Sequence, residues 1–173
     1  MNQPATILIV GAGNELLGDE GFGVHVARSL MAAKDSLPPH VGIVEAGTSL
    51  FDLLPEMATC SEVILVDAIR GGGPPGSLYQ LDAGDCLTNE VEANRALSLH
   101  QWDLVETLRA AELMGLRPRA LTIVGAEPET LEPGIGLSPR LADAADRLLA
   151  LITASVRCAA AGTGGDRSRD LRP

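Results

Sequence analysis

The residues best suited to chemistry in this chain are two acids and an imidazole that lie far apart in sequence. Glu20 sits in the stretch GAGNELLGDEGFG, residues 11–23. Asp67 closes the aliphatic run VILVD, and His100 lies in LSLHQWDLVETL. Two carboxylates and one imidazole form a mixed hard and borderline donor set that suits nickel, zinc, manganese or iron. Three protein ligands would leave positions open for water or a substrate group. Each residue also has a plainer reading. Glu20 could favour a helix N-terminus, Asp67 could cap a loop, and His100 could face solvent at a helix start. Asp19, beside Glu20, reads as a helix N-cap. His25, within a helix, and His40, in a Pro-rich loop, have no companion motif and read as structural or exposed. The chain carries no HExxH, no GxSxG and no cysteine beside a plausible histidine base. Zincin, serine-nucleophile and cysteine-nucleophile chemistries are therefore disfavoured.

The glycines around Glu20 pose a second question. Gly11 and Gly13 follow a strand and precede a helix, as in the dinucleotide fingerprint G-x-G-x-x-G. The third position, however, is Leu16, where the fingerprint needs a glycine for close helix–strand packing. Asp19 and Glu20 place negative charge where a pyrophosphate would have to sit. Glu45 could imitate the ribose-binding acid of such a site, but Leu16 and the two acids oppose it.

These side chains need a frame. Five runs read as strands: Ile7–Val10, Val41–Glu45, Val63–Asp67, Ser77–Leu81 and Leu121–Gly125. Three are nearly continuous aliphatic runs, as expected of parallel strands covered on both faces. Helical spacing places Val24, Ala27, Leu30 and Met31 on one face of a first helix. Leu50, Leu53 and Leu54 mark a second, and Leu104, Leu108, Ala111 and Met114 a third. Leu141, Ala145, Leu148, Leu149 and Ile152 mark a fourth. The alternation predicts an α/β three-layer sandwich, with a mostly parallel five-stranded twisted sheet flanked by helices on both faces. The link AIRGGGPPG is too short for a crossover helix, so Ser77–Leu81 should be an antiparallel or displaced edge strand. The first and third strands should then lie side by side at a topological switch point, with ligands bound outside the carboxyl ends of the strands. Glu20 and Asp67 both fall at that edge. His100 reaches it only if the segment from Asp82 to Leu99 carries it there. One domain spans 1–159, and the tail 160–173 reads as disordered.

Composition narrows the partners. The 173 residues are 46% hydrophobic with one Trp, one Tyr and two Phe, so the core must be aliphatic. The net charge of −10 argues against nucleic acid and anionic membrane as the main partner. No apolar run is long enough to span a bilayer, and no secretion signal is evident, so a cytoplasmic location is expected. Cys60, Cys86 and Cys158 are widely spaced and read as structural thiols.

The motifs together resemble one family. The pattern G-x-G-N-x-L-x-x-D-[DE]-x-x-G is met by Gly11, Gly13, Asn14, Leu16, Asp19, Glu20 and Gly23. EAGTSLFDLL supplies a GGT-type turn at Gly47 and Thr48, VILVDAI ends at Asp67, and SLHQ supplies Ser98 and His100. VGAEPETLEPGIGLSP matches a late signature at Gly125, Pro128, Leu131, Glu132, Pro133, Gly136, Leu137, Ser138 and Pro139. Five motifs in order, over nearly the whole chain except the tail, resemble the maturation endopeptidases of nickel–iron hydrogenases. Asp103 departs from the pattern, since many members carry Gly there. The resemblance implies an aspartyl-type hydrolase that recognises nickel in the precursor of the hydrogenase large subunit and removes its C-terminal extension. It implies that Glu20, Asp67 and His100 contact the metal and form the catalytic site, with Asp19 a structural cap or a support behind those ligands. It also implies that the nickel arrives with the precursor, the main partner. Asp67 or a metal-bound water would assist attack on the peptide, an alternative left open at this level. The competing readings are a non-catalytic metal-sensing chaperone and a nucleotide-dependent Rossmann-like enzyme. The segment Ala83–Leu97 and the loop Gly71–Gly76 are candidates for precursor recognition by position.

Overall fold

The computed structural model describes residues 7–82 and 101–160, with the side chains of 101–105 left aside. His100, Ser98, Cys86, the segment Ala83–Leu97 and the tail from 161 onward lie outside the described residues.

The element order follows the hydrophobic pattern. It runs β1 (Ile7–Ala12), α1 (Phe22–Ala32), β2 (Val41–Gly47), α2 (Leu54–Thr59), β3 (Glu62–Ala68), β4 (Leu78–Asp82), α3 (Gln101–Leu113), β5 (Leu121–Ala126) and α4 (Pro139–Ala160). The strands align as β2-β1-β3-β5-β4. Pairs β1–β2, β1–β3 and β3–β5 are parallel, and β4 runs antiparallel to β5. The expected switch point between β1 and β3 and the expected antiparallel edge strand are both present. Each strand extends one or two residues past its aliphatic run, because backbone pairing does not require an apolar side chain.

Alternation along the strands divides the core into two layers. Ile7, Ile9, Ile64, Val66 and Val124 face α1 and α4, packing with Phe22, Val26, Leu30, Leu141, Leu148 and Ile152. Leu8, Val10, Val63, Leu65 and Ile123 face the other side, with Leu54, Met57, Leu108 and Ala111 of α2 and α3. This is the predicted sandwich. The helical spacing understated α1, where Phe22 and Val26 are buried along with Val24, Ala27 and Leu30. That helix packs against β1, β2 and β3 and also against α4, so its apolar face is wider than one stripe. Met114 is a correction. It follows the end of α3 and is 56% exposed, because the chain turns at Gly115, which has φ +68°. No disulfide joins Cys60 or Cys158. Among the described residues no helix is long and apolar enough to cross a membrane.

Candidate active site at the carboxyl rim

The turn after β1 is shaped by three glycines. Gly13 has φ +130°, and a Cβ there would lie 1.9 Å from the backbone oxygen of Glu20. Only glycine allows the chain leaving β1 to pass so close under Glu20. Farther on, a Cβ on Gly11 would lie 2.2 Å from the oxygen of Gly23, and a Cβ on Gly23 would lie 2.1 Å from the oxygen of Val66. Gly11 and Gly23 thus bring α1 onto β1 and β3 without a side chain between them. Gly23 supplies the close packing that position 16 of a dinucleotide fingerprint would have given. Leu16 is free of that duty and is 67% exposed.

Between Gly13 and Gly23 the chain makes a single 3-10 turn, Gly18–Gly21, which packs on β3. Glu20 lies in this turn and is only 3% exposed. Asp67 lies in β3 opposite Gly125 and is 9% exposed. One of its oxygens, Oδ1, accepts a hydrogen bond from the Ala68 N–H at 2.8 Å. A Cβ on Gly125 would lie 2.0 Å from the Asp67 backbone oxygen, so glycine is required beside it as well. Two carboxylates are therefore buried at the carboxyl rim, one on a turn and one on the strand beneath it. Burial of a carboxylate is costly without specific partners, so such placement marks a site or a staple. His100, the third expected member, immediately precedes α3 in sequence and lies outside the described residues. Among the described residues no group of three or more His, Cys, Asp or Glu is gathered for a metal.

Of the two roles expected of Asp19, the structure excludes the cap: the residue flanking the 3-10 turn is Leu17, α1 starts after Gly21, and neither makes a side-chain cap. Asp19 is 0% exposed. Its Oδ2 accepts hydrogen bonds from the N–H groups of Glu129 (2.8 Å) and Thr130 (3.1 Å), and its Oδ1 from that of Ser138 (2.6 Å). Reciprocal backbone bonds reinforce the link: Gly18 N–H donates to Gly134 O, and Gly134 N–H donates to Leu16 O, both at 2.9 Å. The carboxylate staples the loop after β5 to the turn that carries Glu20. Capping lost because distant backbone N–H groups, not those of α1, converge on the side chain.

The family model HycI, hydrogenase maturation protease, matches residues 24–155. The chain belongs to the hydrogenase maturation proteases. It is 36% identical to the hydrogenase 2 maturation protease of Escherichia coli, over 87% of this chain and 90% of that one. It is 34% identical to the hydrogenase expression/formation protein HupD of Rhodobacter capsulatus, over 86% of this chain and 70% of the relative. The solved structure of the hydrogenase maturating endopeptidase HybD from E. coli superposes with a TM-score of 0.75 at 34% identity, covering 89% of this chain and 93% of that one. The protein is thus a peptidase of hydrogenase maturation. The residues matched by the family model include Asp67 and the position of His100 and begin just after Glu20.

Two further charged groups complete the protease's rim. Glu45 does not await a ribose. Arg28 Nε donates to both Glu45 oxygens at 3.0 Å, and Arg28 Nη2 donates to Glu15 Oε2 at 2.8 Å. Those two carboxylates hold the Arg28 guanidinium above its ordinary pKa. The dinucleotide reading thereby loses its acid as well as its third glycine. Glu127, directly after β5, went unnoticed in the sequence. It is 9% exposed, and a single oxygen, Oε2, accepts from the N–H groups of Gly72 (2.9 Å) and Gly73 (3.3 Å) and from the Tyr79 hydroxyl (2.8 Å). Burial and the neighbouring Glu127 carboxylate push the Tyr79 phenol above its usual pKa. The available signal was an acid closing a strand, as with Asp67. Nothing local showed that its partners lie 55 and 54 positions away.

Proposed function

We propose that this protease recognises nickel already installed in the precursor of a nickel–iron hydrogenase large subunit and removes the precursor's C-terminal extension. Glu20, Asp67 and His100 would contact that nickel, which belongs to the substrate. The observation that carries the reading is the pair of buried acids, Glu20 and Asp67, held at one sheet edge by glycine-enforced backbone contacts in a member of this family. The donor chemistry fits a borderline cation. Two carboxylates and an imidazole leave room for the cysteine ligands that the metal would bring with it.

Each residue of the chain then has a task. Glu20 and Asp67 orient the metal-bearing segment, so that a peptide bond rests against the rim. Much of the rate gain comes from this positioning. Asp67, the carboxylate on the strand, would accept a proton from the attacking water. Processing in the cytoplasm fits a chain whose described helices are all too short or too polar for a membrane.

The test is processing of nickel-loaded precursor, followed by mass spectrometry of the product. Wild-type protein should shorten the precursor and leave a nickel-free precursor intact. Glu20→Gln, Asp67→Asn and His100→Ala should each lower the rate by about 10²-fold or more. Their thermal unfolding should stay near that of wild type. Normal cleavage by all three variants would reject the site. Binding without any shortening by the wild-type protein would point to a metal-sensing chaperone instead.

A further inference from the structure

The loop that leaves β3 just after Asp67 contains three consecutive glycines, Gly71–Gly73, followed by two prolines. Such a sequence has little conformational preference of its own. Yet its backbone is tied down from several directions. Glu127 Oε2 gathers the Gly72 and Gly73 N–H groups and the Tyr79 hydroxyl. The Gly73 N–H also donates to the Tyr79 oxygen at 2.9 Å. Gly76 N–H donates to Glu127 O at 2.8 Å, and Glu127 N–H donates to Ser77 O at 2.9 Å. Arg147 Nη2 from α4 donates to Gly76 O at 2.6 Å. Gly71 packs against the Tyr79 ring, where a Cβ would lie 2.3 Å from Cζ, and Gly73 against the Tyr79 hydroxyl, where a Cβ would lie 2.5 Å from the oxygen. Gly71, Gly72 and Gly73 nonetheless keep part of their surface open to solvent.

A flexible loop held at several points, beside a catalytic strand and still facing solvent, is a preorganised contact surface. We infer that Glu127 is a positioning residue, which presets the Gly71–Gly76 loop as the wall on which the precursor's segment docks beside Asp67. The inference rests on the processing function proposed above and names the loop and the fastener that serve it. Without Glu127 the loop would sample many shapes, and the precursor would have to order it on binding. That loss should weaken precursor binding and leave the chemical step nearly unchanged.

The experiment measures precursor binding and cleavage separately, using the full chain and nickel-loaded precursor. Glu127→Ala should raise KM and Kd about tenfold while kcat stays within about threefold. Glu127→Gln keeps an oxygen at the point where the three donors meet, so it should restore most of the binding. Tyr79→Phe removes one donor and keeps the ring under the glycines, giving an intermediate loss. Amide exchange at residues 71–76 should rise in the same order. Unchanged KM and Kd in Glu127→Ala, with faster exchange in the loop, would overturn the inference. So would a fall in kcat at constant KM. If Glu127→Ala does not fold, Tyr79→Phe decides: a KM equal to wild type would equally overturn it. Failure of wild-type protein to cleave would count against the proposed function, whereas the binding series judges Glu127.

Discussion

Two fasteners hold the turn that carries Glu20, and they work by opposite physics. On the inner side, Asp19 is fully buried and its oxygens meet three backbone N–H groups. On the outer side, Arg28 bridges Glu15 and Glu45 in the open, with its side chain 52% exposed. The inner carboxylate replaces its lost water with donors fixed in place, and each charge-assisted bond is worth about 1.5–3 kcal/mol. The outer ions keep their water and are screened by salt. The turn is thus anchored from the inside and merely trimmed from the outside. Glu20, next to the buried anchor, inherits its rigidity.

The largest effect should come from Asp19→Ala. It orphans three N–H donors in a place where water has poor access, and should cost about 3 kcal/mol or more, lowering Tm by roughly 10 °C. Calorimetry measures this, and a change near that of a surface substitution would erase the contrast. Asp19→Asn sharpens it. The amide oxygen can still serve Glu129 and Thr130, but the NH2 would then confront the Ser138 N–H. The expected loss is about 1–3 kcal/mol, below that of alanine.

A third fastener, the Glu127–Tyr79 pair, sits between these extremes and responds to alkali. Tyr79 has its pKa raised in the fold, by burial first and by Glu127 second. Stability from the neutral phenol is therefore complete below the usual phenol value of about 10 and is lost as pH rises past it. Amide exchange in the 71–76 loop, corrected for its intrinsic alkaline acceleration, should rise at high pH in wild type and be pH-independent in Tyr79→Phe. The smallest effect belongs to Arg28→Ala. Its change in Tm should be minor, and should shrink further as salt is added. A large, salt-insensitive loss would mean that the outer fastener matters as much as the inner one.

Much of this architecture was legible in the chain. Ile7–Val10, Val63–Asp67 and Leu121–Gly125 announced buried parallel strands because their side chains must be apolar on both faces. The short Gly/Pro link announced the antiparallel edge because a crossover helix cannot fit. Glu20 and Asp67 were legible as rim acids because the carboxyl ends of parallel strands lie on one side. What stayed hidden is long-range pairing. Asp19 looked like a local cap, since a cap is what an acid before a helix offers its nearest N–H groups. Its actual donors lie 110, 111 and 119 positions away.

The same limit separates what the sequence determined from what the tertiary structure decided. Hydrophobic period, glycine placement and motif order determined the layers, the switch point and the family, because those depend on what each residue can do within its own element. Which carboxylate becomes a staple depends on what the other end of the chain brings to it. Asp19 and Glu20 are neighbours with the same charge. Folding delivers three backbone donors to Asp19 and places Glu20 in the turn packed on β3.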